Sequence, residues 1–425
     1  MTHARARYAS TVESAVDVVS VIGLAVLCAI AFLWDVVLIN VMLSLHNNDF
    51  GKFYFSTRSF LAGENMYAPN PATDLGVGKA AGLQFLNMNP PHFHALLVPL
   101  AILPPAQAVS IWMVGSVFAL VLAILLILRE LQIEITAKRL LMMTLACLVM
   151  APSQTFFITG QLSLLLTLPL TLAWLDARHD RWGRVGGWLG ACLSVKPFLL
   201  IFIPYLLIAH RRRALVVGMR VVACCYGLGL LVFGVGNYRS WVRALAMSND
   251  WAWASMNGSI LSFFQRVFEP TPYFAPLWVQ PSLVWLYMVC AGMVGIATLL
   301  VVSKDSNRLG IDRSFGLLLV ASQLISPLGW VYYLWLAAGP MAAVAIRRRR
   351  NLSPVDVVLL SVVVAGLLVP PTALFAFQPS GWATLVVGCS YFWVMFALWI
   401  LLLFDCPDGS LRNYRGDDLI NLAAS

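Results

Sequence analysis

Runs of roughly twenty apolar residues recur along this chain, and short loops rich in arginine stand between several of them. That length carries a helix across about 30 Å of hydrocarbon. Backbone amides and carbonyls in lipid must bond within the chain, so runs that lack alternating polarity form helices and not a barrel. The pattern restricts the fold to an all-α polytopic membrane protein. Composition agrees, with 60% hydrophobic and 11% charged residues among 425. The net charge of +9 is no nucleic-acid signature, because the basic residues gather in the short loops. The eight cysteines lie almost all within apolar runs and form no CxxC pattern, so they read as small packing residues. Arg5 and Arg7 precede the first apolar run, Val18 to Leu45, in the manner of a signal peptide. That run is long and lacks a small-x-small cleavage site followed by a soluble domain, so it reads as a retained helix.

Charge orients the chain. The basic loops are Arg178 to Arg184, His210 to Arg213, Lys304 to Arg313 and Arg347 to Arg350. By the positive-inside rule they are cytoplasmic, as are the N-terminus and a tail at 405–425. The opposite side then receives a first loop at 46–90, a second at 236–274 and a short one at 371–380. Asn237-Tyr238-Arg239 opens the second loop, and Ser248-Asn249-Asp250-Trp251-Ala252-Trp253 lies in its middle. Without a fixed-period repeat or a soluble segment, residues 1–425 read as one integral-membrane domain.

The segment from Arg184 to Arg211 is too long for one crossing and too short for two full ones. Both its ends are basic, which requires an even number of crossings. Splitting it at Lys196-Pro197 gives two short helices of about 18–20 Å each. The same shape recurs at 140–177, centred on Pro152-Ser153-Gln154 to Gly160-Gln161, and at 314–346, centred on Ser326-Pro327-Leu328-Gly329-Trp330. Three such hairpins, with polar tips stopping short of the far side, would ring a cavity. Non-helical backbone at membrane depth is tolerated only in such a place. Residues 91–103, before the Pro104-Pro105 break, read as a short crossing or a re-entrant piece.

Asp49 stands in His46-Asn47-Asn48-Asp49-Phe50, where the first apolar run ends and the first loop begins. A carboxylate there can act as a general base at the bilayer edge. The competing reading is an aspartate that caps a loop helix or pairs with Lys52 or Arg58.

Several segments carry a resemblance. They are Asp49-Phe50-x-Lys52-Phe53-Tyr54, Leu61-x-Gly63-x-Asn65-x-Tyr67, and Asn89-Pro90-Pro91-His92-Phe93 with Pro99-Leu100. Gly160-Gln161-x-Ser163-Leu164-Leu165 follows, then Gly187 with Lys196-Pro197, Asn257-Gly258-Ser259, and Ser326-Pro327-x-Gly329-Trp330. In this order they resemble glycosyltransferase family 87 over about residues 40–350. The family contains bacterial polyprenyl-phosphate-mannose-dependent α-mannosyltransferases. The resemblance implies a C-type glycosyltransferase fold, with about 10–13 transmembrane helices, several of them short. It also implies a hexosyltransferase that moves mannose, with inversion, from a polyprenyl monophosphate to an acceptor hydroxyl. The acceptor would be a glycolipid or glycan, met on the outer face of a bacterial inner membrane. The family often has histidine soon after the Ser-Pro…Trp motif, where this chain has Val331-Tyr332-Tyr333.

The residues can be assigned to that chemistry. A departing phosphate is already anionic and needs no proton, so one base suffices, and Asp49 is the candidate. Cations must steady the phosphate. Lys196, isolated among apolar residues, is the first choice, with Arg58 and His92 behind it and His94, Arg239 and Arg266 weaker still. For sugar and acceptor the candidates are Tyr54, Tyr67, Gln161, Trp251, Trp253, Asn257, Trp330 and Tyr333, although tryptophan and tyrosine also populate interfacial belts. Asp35 is a second candidate carboxylate beside Asn40, and Glu64, Asp74 and Asp250 are unassigned loop acids. No cluster has metal-ligand spacing, and a monophosphate donor offers no diphosphate that demands a metal. No cofactor is expected beyond the lipid-linked donor, and divalent-metal use stays open. A polytopic transporter or flippase, or a non-catalytic membrane subunit, competes with the enzyme reading. A transporter is expected to show matching broken helices in two halves, which these hairpins do not form.

Overall fold

The computed structural model describes residues 49–73, 86–271, 274–280, 283–305, 308–349, 352–377 and 379–405, with Gly23 and Val26. Most of the first apolar run, Asp35, Asn40, Asp74 and the tail beyond Asp405 lie outside the described residues. Among the described residues the protein is all helix, apart from two isolated bridges, Asn257 with Trp330 and Ala275 with Ser380.

Helix α1 (Asp49–Leu61) carries Asp49 in its first turn, where a carboxylate faces the positive end of the helix dipole. A 3-10 turn at Pro91–Leu96 and a helical turn at Val98–Ala101 follow. Pro104-Pro105 then ends the short pieces and opens α2 (Pro105–Glu130), since proline at a helix start gives up only an amide that has no partner there. Residues 91–103 are therefore short broken pieces and no continuous span.

Helices α3 (Ala137–Val149) and α4 (Ala151–Thr159) meet at a bend of 68°. The hairpin centre expected at Pro152-Ser153-Gln154 to Gly160-Gln161 holds the reversal at its far end. Pro152 sits in the first turn of α4, where it starts a helix, and the chain reverses later, at Gly160. Gly160 caps α4 with φ +67°, a left-handed conformation that glycine adopts freely. Helix α5 (Ser163–Arg178) returns from that turn. Helix α6 (Trp182–Val195), a 3-10 segment at Pro197–Ile201 and α7 (Phe202–Ile208) form the second hairpin, broken at Lys196.

Helix α8 (Arg212–Ala246) packs along α6 through small residues. A side chain on Gly186 would meet the Ala214 carbonyl oxygen at 2.2 Å, and one on Gly190 the Gly218 oxygen at 2.6 Å. It kinks at Gly234 (φ +75°) and continues to Ala246, so the expected opening of the second loop is helical. Helices α9 (Ile260–Phe268) and α10 (Val284–Val302) come next. The third hairpin joins α11 (Arg308–Ile325) to a 3-10 segment at Val331–Ala337 and α12 (Ala338–Arg348). Helices α13 (Pro354–Leu367), α14 (Pro371–Phe377) and α15 (Ser390–Leu403) complete the bundle, with a π-helical turn at Thr384–Gly388 before α15. The expected short loop at 371–380 is thus mostly α14.

Three described helices, α2, α8 and α10, are each long and apolar enough to cross a membrane, or four spans if the bent pair α3–α4 counts as one. The rest of the bundle is assembled from shorter pieces. Leu231 and Trp285 are among the large apolar side chains left exposed on α8 and α10, as faces that meet lipid must be.

The arginine-bearing helix ends share an ion-pair network. Arg178 bonds Glu130 at 2.8 Å and Asp312 at 2.6 Å, and Trp174 Nε1 donates to Asp312 at 2.9 Å. Arg347 pairs with Asp405, while Arg348 reaches Asp356 at 2.8 Å and the Leu401 carbonyl at 2.8 Å. The network ties α2, α5, α11, α12, α13 and the end of α15 together. Asp312 is nearly inaccessible, so Asp312→Ala would leave the Arg178 charge and the indole N–H without it. Breaking one side of a buried pair costs about 3–5 kcal/mol. We expect Asp312→Ala to lower the unfolding transition of purified protein strongly, and Asp312→Asn, which keeps a hydrogen-bond acceptor, to do so less.

Candidate active site

The three hairpin tips and the first turn of α1 converge on one cavity of about 210 Å³. Gln161 comes from the first tip, Lys196 and Pro197 from the second, and Ser326, Pro327 and Leu328 from the third. Asp49, Lys52 and Asn89 complete its polar lining, and Trp251, Trp330, Tyr332 and Tyr333 supply aromatic faces.

Asp49 is buried, and both its carboxylate oxygens are engaged. Lys52, three residues along the same helix face, forms an ion pair with Oδ1. Gln161 Nε2 donates to Oδ2 at 2.6 Å. Gln161 is held there because Trp112 Nε1 donates to the Gly160 carbonyl at 2.9 Å, fixing the turn just before it. Burial pushes the Lys52 ammonium below the ordinary lysine range, and the Asp49 charge restores part of that loss.

Lys196 interrupts the hairpin with extended backbone (φ −128°, ψ 90°) because proline follows it. Its Nζ donates to Asn89 Oδ1 at 2.8 Å and lies 5.5 Å from the centre of the Tyr333 ring, a cation–π contact. Asn89 is set from below by a chain of polar groups. Thr57 gives its hydroxyl proton to the Phe53 carbonyl and so accepts from His94 Nδ1, at 2.8 Å. His94 Nε2 is then an acceptor for the Asn87 amide at 2.8 Å, and Asn87 Oδ1 accepts from the Asn89 backbone amide at 3.0 Å. The Tyr67 hydroxyl closes on the Asn89 carbonyl at 2.5 Å.

The third tip is clamped by the Asn257-Gly258-Ser259 segment. Asn257 Nδ2 donates to the carbonyls of Pro327 at 2.8 Å and Ala252 at 2.9 Å. Gly258 N–H bonds the Gly329 carbonyl at 2.7 Å, and Val331 N–H the Met256 carbonyl at 2.9 Å. A side chain on Gly329 would strike the Gln323 carbonyl oxygen at 2.0 Å, so only glycine fits there. Arg266, fully buried, donates to the carbonyls of Ala254 and Asn257, each at 2.8 Å.

Of the residues singled out in the sequence, Asp49, Lys196, Gln161, Trp251, Trp330 and Tyr333 line the cavity. Arg58, His92, Tyr54, Tyr67 and Asn257 do not. Arg58 is exposed, with Nη1 3.3 Å from the Tyr54 hydroxyl, at a separate depression with Leu61 and Ile102. Tyr54 spends its hydroxyl on the Leu103 carbonyl at 2.7 Å. His92 donates from Nε2 to the Ser194 carbonyl at 3.0 Å and accepts from the Tyr238 hydroxyl at 2.9 Å, which fastens the first loop to α6 and α8. Tyr67 and Asn257 act one step back, on Asn89 and on the third tip. Trp253 stacks on Trp251 with ring centres 6.0 Å apart. Arg239, Glu64 and Asp250 are exposed. Lys52, Asn89 and Tyr332 line the cavity without having been chosen. Lys52 enters the sequence reading only as a pairing partner of Asp49, and that pair is present. Among the described residues no group of three or more His, Cys, Asp or Glu side chains is placed to hold a metal ion.

A sequence model of glycosyltransferase family 87 matches residues 87–327. The chain belongs to this family. No curated protein and no solved structure matches it. As a family 87 member it is a membrane glycosyltransferase, and the transporter and scaffold alternatives give way. The match covers Asn89, Gln161, Lys196, Trp251 and the Ser326-Pro327 tip, but begins after α1. Asp49 and Lys52 lie before the match and line the same cavity as the matched residues.

Two substitutions separate support from contact. Asn257→Ala removes a donor from the Ala252 and Pro327 carbonyls; Pro327 keeps the Ser259 hydroxyl at 3.0 Å, so the cost should be about 1–3 kcal/mol of stability, for the Ala252 carbonyl. Arg58→Ala, at the surface, should change both stability and turnover by no more than about twofold. Unfolding transitions and transfer assays on the purified variants check both.

Proposed function

We propose that this protein moves a hexose, mannose by its resemblance, from a polyprenyl monophosphate to an acceptor hydroxyl with inversion. The acceptor is a glycolipid or glycan. The observation that carries this reading is the charge of the cavity. One carboxylate, Asp49, stands with two lysines, Lys52 and Lys196, so the lining has a formal excess of one positive charge. A sugar phosphodiester carries a single negative charge and would neutralise it, whereas a diphosphate would leave an anionic excess.

The chemistry is a single displacement. The acceptor oxygen bonds to the anomeric carbon while the bond from that carbon to the phosphate oxygen breaks, and the electron pair leaves on the phosphate. Asp49 takes the acceptor proton, and Lys196 meets the growing phosphate charge. Attack opposite the leaving phosphate inverts the anomeric carbon, because one carboxylate serves as base and forms no covalent intermediate. Trp251, Trp330, Tyr332 and Tyr333 offer faces for the sugar ring. The positive-inside rule, with the arginine-rich ends in the cytoplasm, supports a cavity that opens toward the exterior of a bacterial plasma membrane.

Asp49→Asn keeps the size and much of the hydrogen bonding of the side chain but removes the proton acceptor. Turnover should fall about 10²–10⁴-fold, or about 3–5 kcal/mol of barrier, with the fold retained. Lys196→Ala should raise the donor KM and lower kcat together, and Lys196→Arg should restore only part. Steady-state kinetics with a polyprenyl-phosphomannose donor measures these effects, and turnover above about a tenth of wild type in Asp49→Asn would remove it as the base.

Sidedness has its own check. On a background without native cysteines, Ala68→Cys should react with an impermeant thiol reagent in intact cells. Arg212→Cys should react only after permeabilisation, and the reverse pattern would invert the orientation.

A further inference from the structure

The base just described is held when no donor is present. Lys52 occupies Oδ1 of Asp49, Gln161 occupies Oδ2, and the whole group is buried. Both oxygens of the carboxylate thus have a donor already, which an acceptor hydroxyl would have to displace. The Lys52 ammonium lines the cavity that has to receive the donor phosphate. We infer that Lys52 is a donor-operated lock on Asp49: its ammonium holds the carboxylate in the free protein and shifts to the phosphate when the donor enters, releasing Asp49 for the acceptor hydroxyl.

The inference rests on Asp49 being the base, and it adds an order of events. Around Asp49 the groups that bear charge or titrate come from three places. Lys52 stands on its own helix, Lys196 at the second hairpin tip, and Tyr332 and Tyr333 on the 3-10 segment after the third tip, while the neutral Gln161 comes from the first. Lys196 is anchored by Asn89 and the Tyr333 ring and has no bond to Asp49. Lys52 pairs with Asp49 and lies on a flexible four-carbon stem carrying three donors, so a short swing exchanges one anion for another. A phosphodiester brings a second anion into a space with two cations, and the exchange leaves each anion with an ammonium nearby. Donor thus binds before the acceptor can be deprotonated, and the base stays quiet in an empty cavity.

The test reads the carboxylate directly, apart from turnover. Infrared difference spectra are taken on protein in lipid discs as polyprenyl monophosphate, the donor without its sugar, is added. The Asp49 band is assigned by its loss in Asp49→Asn. In the wild type the probe should shift that band, and in Lys52→Gln the band should already sit near its shifted position and stay there. Lys52→Gln should also bind the probe about tenfold more weakly, the scale of one lost hydrogen bond to a charged group. Lys52→Arg, which preserves the charge, should keep a probe-induced shift and serves if the glutamine variant does not fold. A wild-type band that the probe leaves unmoved, or equal probe-induced shifts in wild type and Lys52→Gln, overturns the lock. Failure of Asp49 as the base would show separately, as turnover retained by Asp49→Asn.

Discussion

A helix that stops inside an apolar layer leaves carbonyls and amides without partners, and no water is there to take them. The architecture of this glycosyltransferase follows from how those groups are satisfied. The first tip gives the Gly160 carbonyl to Trp112, and the third gives the Pro327 and Gly329 carbonyls to Asn257 and Gly258. Because each tip needs donors from elsewhere in the chain, the tips are drawn to a common place. The cavity is what remains between them, lined by side chains that project from the breaks.

The two ends of the bundle use charge differently. At the arginine-rich end, Arg178, Arg347 and Arg348 close onto Asp312, Asp405 and Asp356, and opposite charges are paired within the network. At the cavity one carboxylate stands with two lysines, a formal excess of one positive charge that the proposed function gives to the donor phosphate. The first arrangement fastens helices. The second stores an electrostatic preference in a place where low polarity makes it effective. The polar chain from Thr57 through His94 and Asn87 to Asn89 keeps that preference aimed, since Asn89 holds Lys196.

Much of this was legible before any coordinates. Hydrophobic run length gave helices, and the Lys196-Pro197 and Ser326-Pro327 breaks marked two of the three tips correctly. The first tip also falls within its expected stretch, at Gly160-Gln161, whereas Pro152 at the start of that stretch begins a helix from its first turn. Arg58 and His92 looked like phosphate ligands because they stand near Asp49 and Asn89 in the chain. In the fold, Arg58 turns to the surface and His92 to Ser194 and Tyr238.

The sequence by itself determined the solvent in which this protein folds, the helical class and the family, since each depends on run length, charge placement or ordered motifs along one dimension. Tertiary structure alone decided that Gln161 meets Asp49 across 112 positions and that Lys196 meets Asn89 across 107. Contacts of that kind arise where separate backbone breaks must share their unpaired groups, and the partner at each break is chosen by packing in three dimensions.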